Sequence, residues 1–235
     1  MGTKIRATKS DGGIATKEEL IGAILVASDE AGVRESFRID SIEADPQDMD
    51  ILLYSFSVYD SFSGQWVSVC KPDMLGRTKG FPLAGTWNVK GQHLHDSKNY
   101  HITCTSATIG KCVLMGYKPW KKTKDGKDLW NYHQACTRLL RADYCGNGKA
   151  HTRDGTLIEI FDQLNIQADS HAPELKFEAA WNDQGAVCVK KTRIQEVATL
   201  DIVKKECPER LNLKNTGENC KESFDSKKWI LNRSK

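Results

Sequence analysis

Hydrophobic and polar residues alternate most plainly from Ile51, where ILLYSFSVYD sets Tyr54, Phe56 and Val58 against Ser55, Ser57 and Tyr59. A period of two sends successive side chains to opposite faces, which predicts a half-buried strand. The turn formers from Asp60 to Gly64 follow, and QWVSVC carries the chain back, so residues 51–70 read as a hairpin ending at Cys70. Upstream, residues 3–8 and 20–28 read as strands, with turns at Gly12-Gly13 and Gly32. Glu43, Asp45, Asp48 and Asp50 lack the spacing and fixed glycine of an EF-hand calcium loop and read as a polar turn.

Residues 71–100, punctuated by Pro72, Gly76, Gly80, Pro82, Gly85 and Gly91, read as loop. A second hairpin is predicted over 100–116, around Cys104 and Cys112. The pattern then changes period. Leu129, His133, Cys136, Leu140 and Tyr144 recur at steps of four, three, four and four, which places them on one face of a helix over about 128–144. Asp128 suits its N-cap and Gly146 its stop. Alternation returns in TLIEIFDQLNI, and residues 177–192 read as another hairpin. A last helix, about 196–207, carries Val197, Leu200, Val203 and Cys207 on one stripe and ends at Pro208. The polar tail is expected to dock through Trp229-Ile230-Leu231.

These elements predict an α+β fold of mostly antiparallel β hairpins, with one central and one C-terminal helix. At 235 residues the chain is long enough to bury a sizeable core, and neither a repeat nor a low-complexity linker divides it. The expectation is one compact domain, 1–235, with a β-rich half to about 116 and a second half from about 117. Charge adds little: 34 basic against 31 acidic residues argue against nucleic acid or a membrane surface as the partner. No apolar run approaches the ~20 residues that span a bilayer.

Cysteine usage changes the picture. The eight are Cys70, Cys104, Cys112, Cys136, Cys145, Cys188, Cys207 and Cys220, an even number with no C-x-x-C pair. All eight are disulfide candidates, and an oxidising, secreted or periplasmic location is expected. The opening MGTKIRATKSDGG has no apolar h-region, so a leader would lie outside this sequence.

The densest chemistry is RLLRADYCGNGKAHTRDGT, residues 138–156. One reading is catalytic: Cys145 as the nucleophile of a hydrolase or acyltransferase, His151 as its base, and Asp154 or Asp143 orienting the imidazole. Against it, Cys145 falls at a helix C-terminus, whose dipole disfavours a thiolate. The other reading is a Cys136–Cys145 staple, worth about 2.5–3 kcal/mol by chain entropy. Cys104 with Cys112, Cys188 with Cys207 and, by elimination, Cys70 with Cys220 complete that scheme. His133, Cys136, Cys145 and His151 are acceptable zinc ligands by type, but their spacing is that of no common finger, so neither metal nor cofactor is assigned.

HQACTRLLRADYCGNGKAHTRDGT (133–156), ATIGKCVLMGYKPW (107–120), FEAAWNDQGAVCVKKTRI (177–194) and CPERL (207–211) together resemble bacterial proteins carrying the ADYC domain, named from the letters found here at 142–145. The resemblance extends upstream through DILLYSFSVYDSFSGQWVSVC and so covers most of the chain. It implies export and a single domain, and it implies no activity.

A separate binding candidate is the loop GYKPWKKTKDGK. Lys118, Lys121, Lys122 and Lys124, with Lys127, surround Tyr117, Trp120 and Trp130, a composition that could hold an anionic polymer or a protein partner. A solvated loop has the same composition. The functional expectation is a binding or structural role, with the cysteine enzyme as the alternative.

Overall fold

The structure, a computed structural model, describes residues 2–28, 32–96 and 98–235. The chain forms two units, one running to Gly85 and resuming over Asp96–Leu114, the other made of Thr86–His95 and Met115–Lys235. The first carries β1 (Arg6–Thr8), β2 (Ile14–Thr16), β3 (Ile24–Ser28), β4 (Arg34–Asp45), β5 (Asp48–Asp60), β6 (Gln65–Ser68) and β7 (Gly80–Ala84). The short strands β8 (Thr86–Trp87) and β9 (His93–Leu94) belong to the second unit, and β10 (Tyr100–Cys104) and α1 (Thr108–Leu114) to the first. The second unit continues with α2 (Leu129–Arg141), β11 (Ile158–Asp162), β12 (Lys176–Asn182), β13 (Gly185–Val189), α3 (Leu200–Glu206) and β14 (Ile230–Ser234). Mostly antiparallel strands with a few short helices make the fold α+β, as predicted.

The first unit is built on a six-stranded antiparallel sheet ordered β10-β7-β5-β4-β3, with β6 paired to the end of β5. The 51–70 hairpin is therefore real, and β5 is its spine: Ile51, Leu52, Leu53 and Tyr54 are all buried, so both faces are covered. The acids read as a polar turn flank a two-residue turn at 46–47, Glu43 and Asp45 on β4 and Asp48 and Asp50 on β5. Phe37 and Ile39 pair with Val58 and Phe56 and supply one apolar face, although charged residues outnumber them. Glu43 and Asp45 each face a cation, Lys79 at 3.4 Å and Arg77 at 3.5 Å.

Two other expectations fail here. β7 contains Gly80 and Pro82, which read as loop. The Thr105 N–H bond to Lys79 O fixes the alternation along β10, so Pro82, opposite Ile102, falls at a position without a ladder bond to β10. Pairing to β5 occurs only at Gly80, so the missing N–H costs no ladder bond there either. The predicted 100–116 hairpin ends as a helix instead, since α1 follows β10 directly. Gly110 permits this, because a Cβ there would overlap the carbonyl of Cys104. Cys104 bonds Cys70 (Cα–Cα 5.4 Å), which overturns the pairings of Cys104 with Cys112 and of Cys70 with Cys220.

The second unit is a four-stranded antiparallel sheet ordered β11-β14-β12-β13, with α2 packed across β12, β13 and β14. The 177–192 hairpin is β12 and β13, and the tail docks as β14, with Ile230 opposite Trp181 and Leu231 opposite Phe161. Phe161, Ala180, Cys188, Cys220 and Leu231 form a buried cluster on this sheet. Cys188 joins Cys220, so the predicted Cys188–Cys207 pairing is wrong. Helix α2 is capped as expected, with Asp128 Oδ1 accepting the Trp130 N–H at 2.9 Å, but it stops at Arg141, three residues early.

Candidate functional site

The early stop of α2 creates the local structure around residues 142–145. Ala142 takes a left-handed conformation (φ 48°, ψ 42°) and caps the helix, its N–H bonding the carbonyl of Leu139 at 2.9 Å. A non-glycine residue pays about 1–2 kcal/mol there, so its neighbours must over-determine the turn. They do. Asp143 is inaccessible, and its carboxylate accepts from Arg138 Nη1 (2.5 Å), the Gly148 N–H (2.9 Å) and the Asn147 N–H (3.1 Å). Gly146 must be glycine because a Cβ would overlap the carbonyl of Gln184 in the β12–β13 turn.

Tyr144 points into the core and stacks on Trp181 at 5.3 Å. Its hydroxyl donates to Glu178 Oε1 (3.1 Å) and accepts the Arg193 N–H (2.8 Å). Burial first, then the Glu178 charge, push this phenol well above its ordinary pKa. Arg193 grips Glu178 with two bonds, Nε to Oε2 at 2.9 Å and Nη2 to Oε1 at 3.1 Å. The same guanidinium also donates to the carbonyls of Leu139 (2.8 Å) and Leu140 (3.1 Å) at the end of α2. Both charged side chains are fully buried, so the network is paired throughout and closed to solvent.

Cys145 bonds Cys207, just beyond α3, with a Cα–Cα distance of 5.6 Å. This overturns the Cys136–Cys145 staple: the tight turn at 143–146 sends Cys145 away from α2. It also corrects the catalytic reading, because a disulfide sulfur offers no thiolate. His151 is buried with both ring nitrogens occupied, Nδ1 by the Ala142 carbonyl and Nε2 by Glu206 Oε2, each at 3.0 Å. Glu206, absent from the sequence reading, holds the position assigned to Asp154, which is exposed in a turn; Asp143 serves Arg138 instead. Burial alone would raise the Glu206 carboxyl, but Lys149 and His151 together hold it below the usual range. Cys145, Ala186, Glu206, Glu209, Arg210 and Lys227 line an open groove of about 780 Å³ beside the bridge. Among the described residues no cysteine is free, and no three histidine, cysteine or carboxylate side chains group as metal ligands.

The lysine loop is more exposed. Lys121, Lys122 and Lys124 lie at the surface, while Lys118 and Trp120 are half-buried. The loop closes through the Thr123 N–H to the Lys127 carbonyl (2.8 Å) and an antiparallel backbone β-bridge between Lys122 and Asp128. Tyr117 is removed from any binding role, being fully buried with its hydroxyl on Asp162 Oδ2 at 2.7 Å. Burial and the Asp162 charge raise its pKa far above the phenol's ordinary value.

Next to this loop lies an arrangement that sequence reasoning missed. Trp87, His93, Trp130 and His95 form one column of stacked rings, with successive centroids 3.7, 3.4 and 3.5 Å apart. Gln134 holds the strand end in place, accepting the His93 N–H (2.5 Å) and donating to the Gly91 carbonyl (3.0 Å). The outer ring, His95, is exposed. A signal was present: Trp87, His93 and His95 lie within nine residues of a segment read only for its glycines.

The chain is a two-unit, disulfide-stabilised α+β protein. The model of the ADYC domain family matches residues 17–195, and the chain belongs to that family. Neither a curated protein nor a solved structure matches it. No helix among the described residues is long and apolar enough to cross a membrane.

Proposed function

We propose that this protein is an exported binding module that works in an oxidising compartment and performs no chemistry at its ADYC residues. The observation that carries the reading is the employment of that tetrapeptide: Ala142 caps α2, Asp143 and Tyr144 are buried in closed networks, and Cys145 is bridged to Cys207. Eight oxidised sulfurs suit an oxidising compartment, where disulfides form and persist, better than a glutathione-buffered cytosol, where they are rare. The contact face proposed is the loop with Lys118, Trp120, Lys121, Lys122 and Lys124, together with the exposed imidazole of His95 on Trp130. Its partner would be an anionic polymer or an acidic protein, neutralised by the lysines and stacked on the rings.

The test is retention on a heparin column of protein produced in an oxidising compartment. Salt-dependent retention that falls in a Lys121→Glu, Lys122→Glu, Lys124→Glu variant is expected. Retention unchanged by that variant overturns the contact face, and full folding and heparin retention of protein made with all thiols reduced overturns the compartment.

A further inference from the structure

The first unit holds a cleft of about 790 Å³ that both outermost strands of its sheet, β3 and β10, help to line. The sheet must therefore curl until its two ends face one opening. Register places Leu25 of β3 on the same face as Phe37, and Pro82 and Ile102 on that face too, so the floor is apolar. One wall is the N-terminal segment. It is pinned where Thr3 Oγ1 accepts the Leu52 N–H (2.7 Å) and Tyr54 Oη accepts the Ile5 N–H (3.0 Å), which sets Lys4 and Arg6 at the cleft.

The edge of β3 is open. The Ile39 N–H bond to the Ala23 carbonyl (3.0 Å) fixes the ladder to β4, so Leu25 and Ala27 bond β4 while Ile24, Val26 and Ser28 turn their N–H and C=O groups outward. Among the described residues β3 pairs with β4 alone. Folded proteins blunt such edges with lysine, proline or a bulge, and ILVAS has none of these. Val26 is 63% exposed and Ile24 49%.

Charge selects the occupant. Among the described residues, Lys4, Arg6 and Lys98 line the cleft against a single acid, Glu35, and none of the three cations is in an ion pair. An aliphatic ligand would dry the outward main-chain groups without bonding them, at about 1–3 kcal/mol each. A second copy of β3 would bond them, but its nearest acids, Asp29 and Glu30, follow the strand in sequence and do not alternate with its apolar residues. An extended acidic peptide meets both demands.

We propose that this cleft is a strand-addition site, in which an extended, acidic segment of a partner protein pairs with the open edge of β3, sets alternate apolar side chains on Leu25, Phe37 and Ile102, and meets Lys4, Arg6 and Lys98. The inference rests on the binding-module reading for its sense, yet it concerns the other unit and none of the residues of the lysine loop. The test is fluorescence anisotropy with a labelled decapeptide of alternating glutamate and valine, on protein whose thiol count is measured in the same preparation. Saturable binding is expected. Val26→Pro, which deletes an outward N–H and spares the β4 ladder, is expected to weaken it about tenfold, the worth of one or two hydrogen bonds. The same peptide N-methylated at alternate residues tests strand pairing on the unaltered protein, should Val26→Pro fail to fold, and is expected not to bind. Equal binding of a lysine–valine peptide, or of the N-methylated one, overturns the proposal. So does a dimer that Val26→Pro dissolves. With all sulfurs oxidised, failure of the peptide leaves the export reading standing.

Discussion

Cutting the Cys145–Cys207 bridge is expected to destabilise the protein by about 4 kcal/mol, the chain-entropy value for two residues 62 apart. The Cys188–Cys220 bridge spans part of the same loop, but the detour through it is nearly as long, so the estimate holds with that bridge intact. Against a typical total of about 5–15 kcal/mol this is a large fraction. The assay is urea unfolding followed by near-ultraviolet circular dichroism, which reports the packing of Trp181 on Tyr144. Cys145→Ala, Cys207→Ala and the double variant are compared. If the two sulfurs act only as a staple, each single variant loses nearly the full amount and the double little more, the non-additivity of coupled partners. A Cys145→Ala protein as stable as the wild type, or single losses that simply add, would show that the bridge does not hold the fold.

Other expectations follow from the buried charges. Glu178→Gln leaves Arg193 with an uncompensated buried charge and is expected to cost about 3–5 kcal/mol by the same unfolding assay; a loss under 1 kcal/mol contradicts the closed network. Tyr117 and Tyr144 have folded pKa values raised above the unfolded value, so the stability they confer is complete below about pH 10 and is lost above it. In an alkaline titration their phenolate absorbance is expected to appear only with unfolding, and its appearance in folded protein contradicts their burial. Asp169 is held at about 2 by its bonds to Arg233 (2.6 and 3.0 Å), so it stabilises the fold above its ordinary value of 3.8 and loses that contribution as pH falls toward 2. Because the pair is partly exposed, the contribution is on the order of 1 kcal/mol after screening. Arg233→Ala is expected to move the acid-unfolding midpoint upward and return the Asp169 pKa, read by NMR, toward 3.8.

Elements with one clear period were legible in the sequence. β5 alternates, β12 and β13 flank a turn, and α2 carries both an apolar stripe and the Asp128 cap. β4 was not, because its two apolar anchors, Phe37 and Ile39, are diluted by charges on the solvent face. β7 was masked by Gly80 and Pro82, whose turn preference is overridden where no ladder bond needs the proline N–H. α1 was mistaken for a strand because Gly110 and its β-branched neighbours lower helix propensity, while the close approach to Cys104 that demands the glycine is a tertiary contact. Oxidation of the cysteines could be expected from their number, yet the three described bridges match none of the predicted pairs. Connectivity depends on where Cα atoms meet in space, and a turn such as that at 143–146 redirects a cysteine whatever its spacing. The ADYC residues drew attention as chemistry for the same reason that they serve structure: polar side chains close in sequence are costly to bury unless each finds a partner.

Whether Cys145 is a staple is read by alkylation and peptide mapping of unreduced protein recovered from an oxidising compartment. All eight sulfurs are expected to be blocked, with a peptide pair joined through Cys145 and Cys207 alongside Cys70–Cys104 and Cys188–Cys220. Rapid alkylation of Cys145 alone, with Cys207 free or bonded elsewhere, would contradict that pairing and return the residue to the role of a nucleophile.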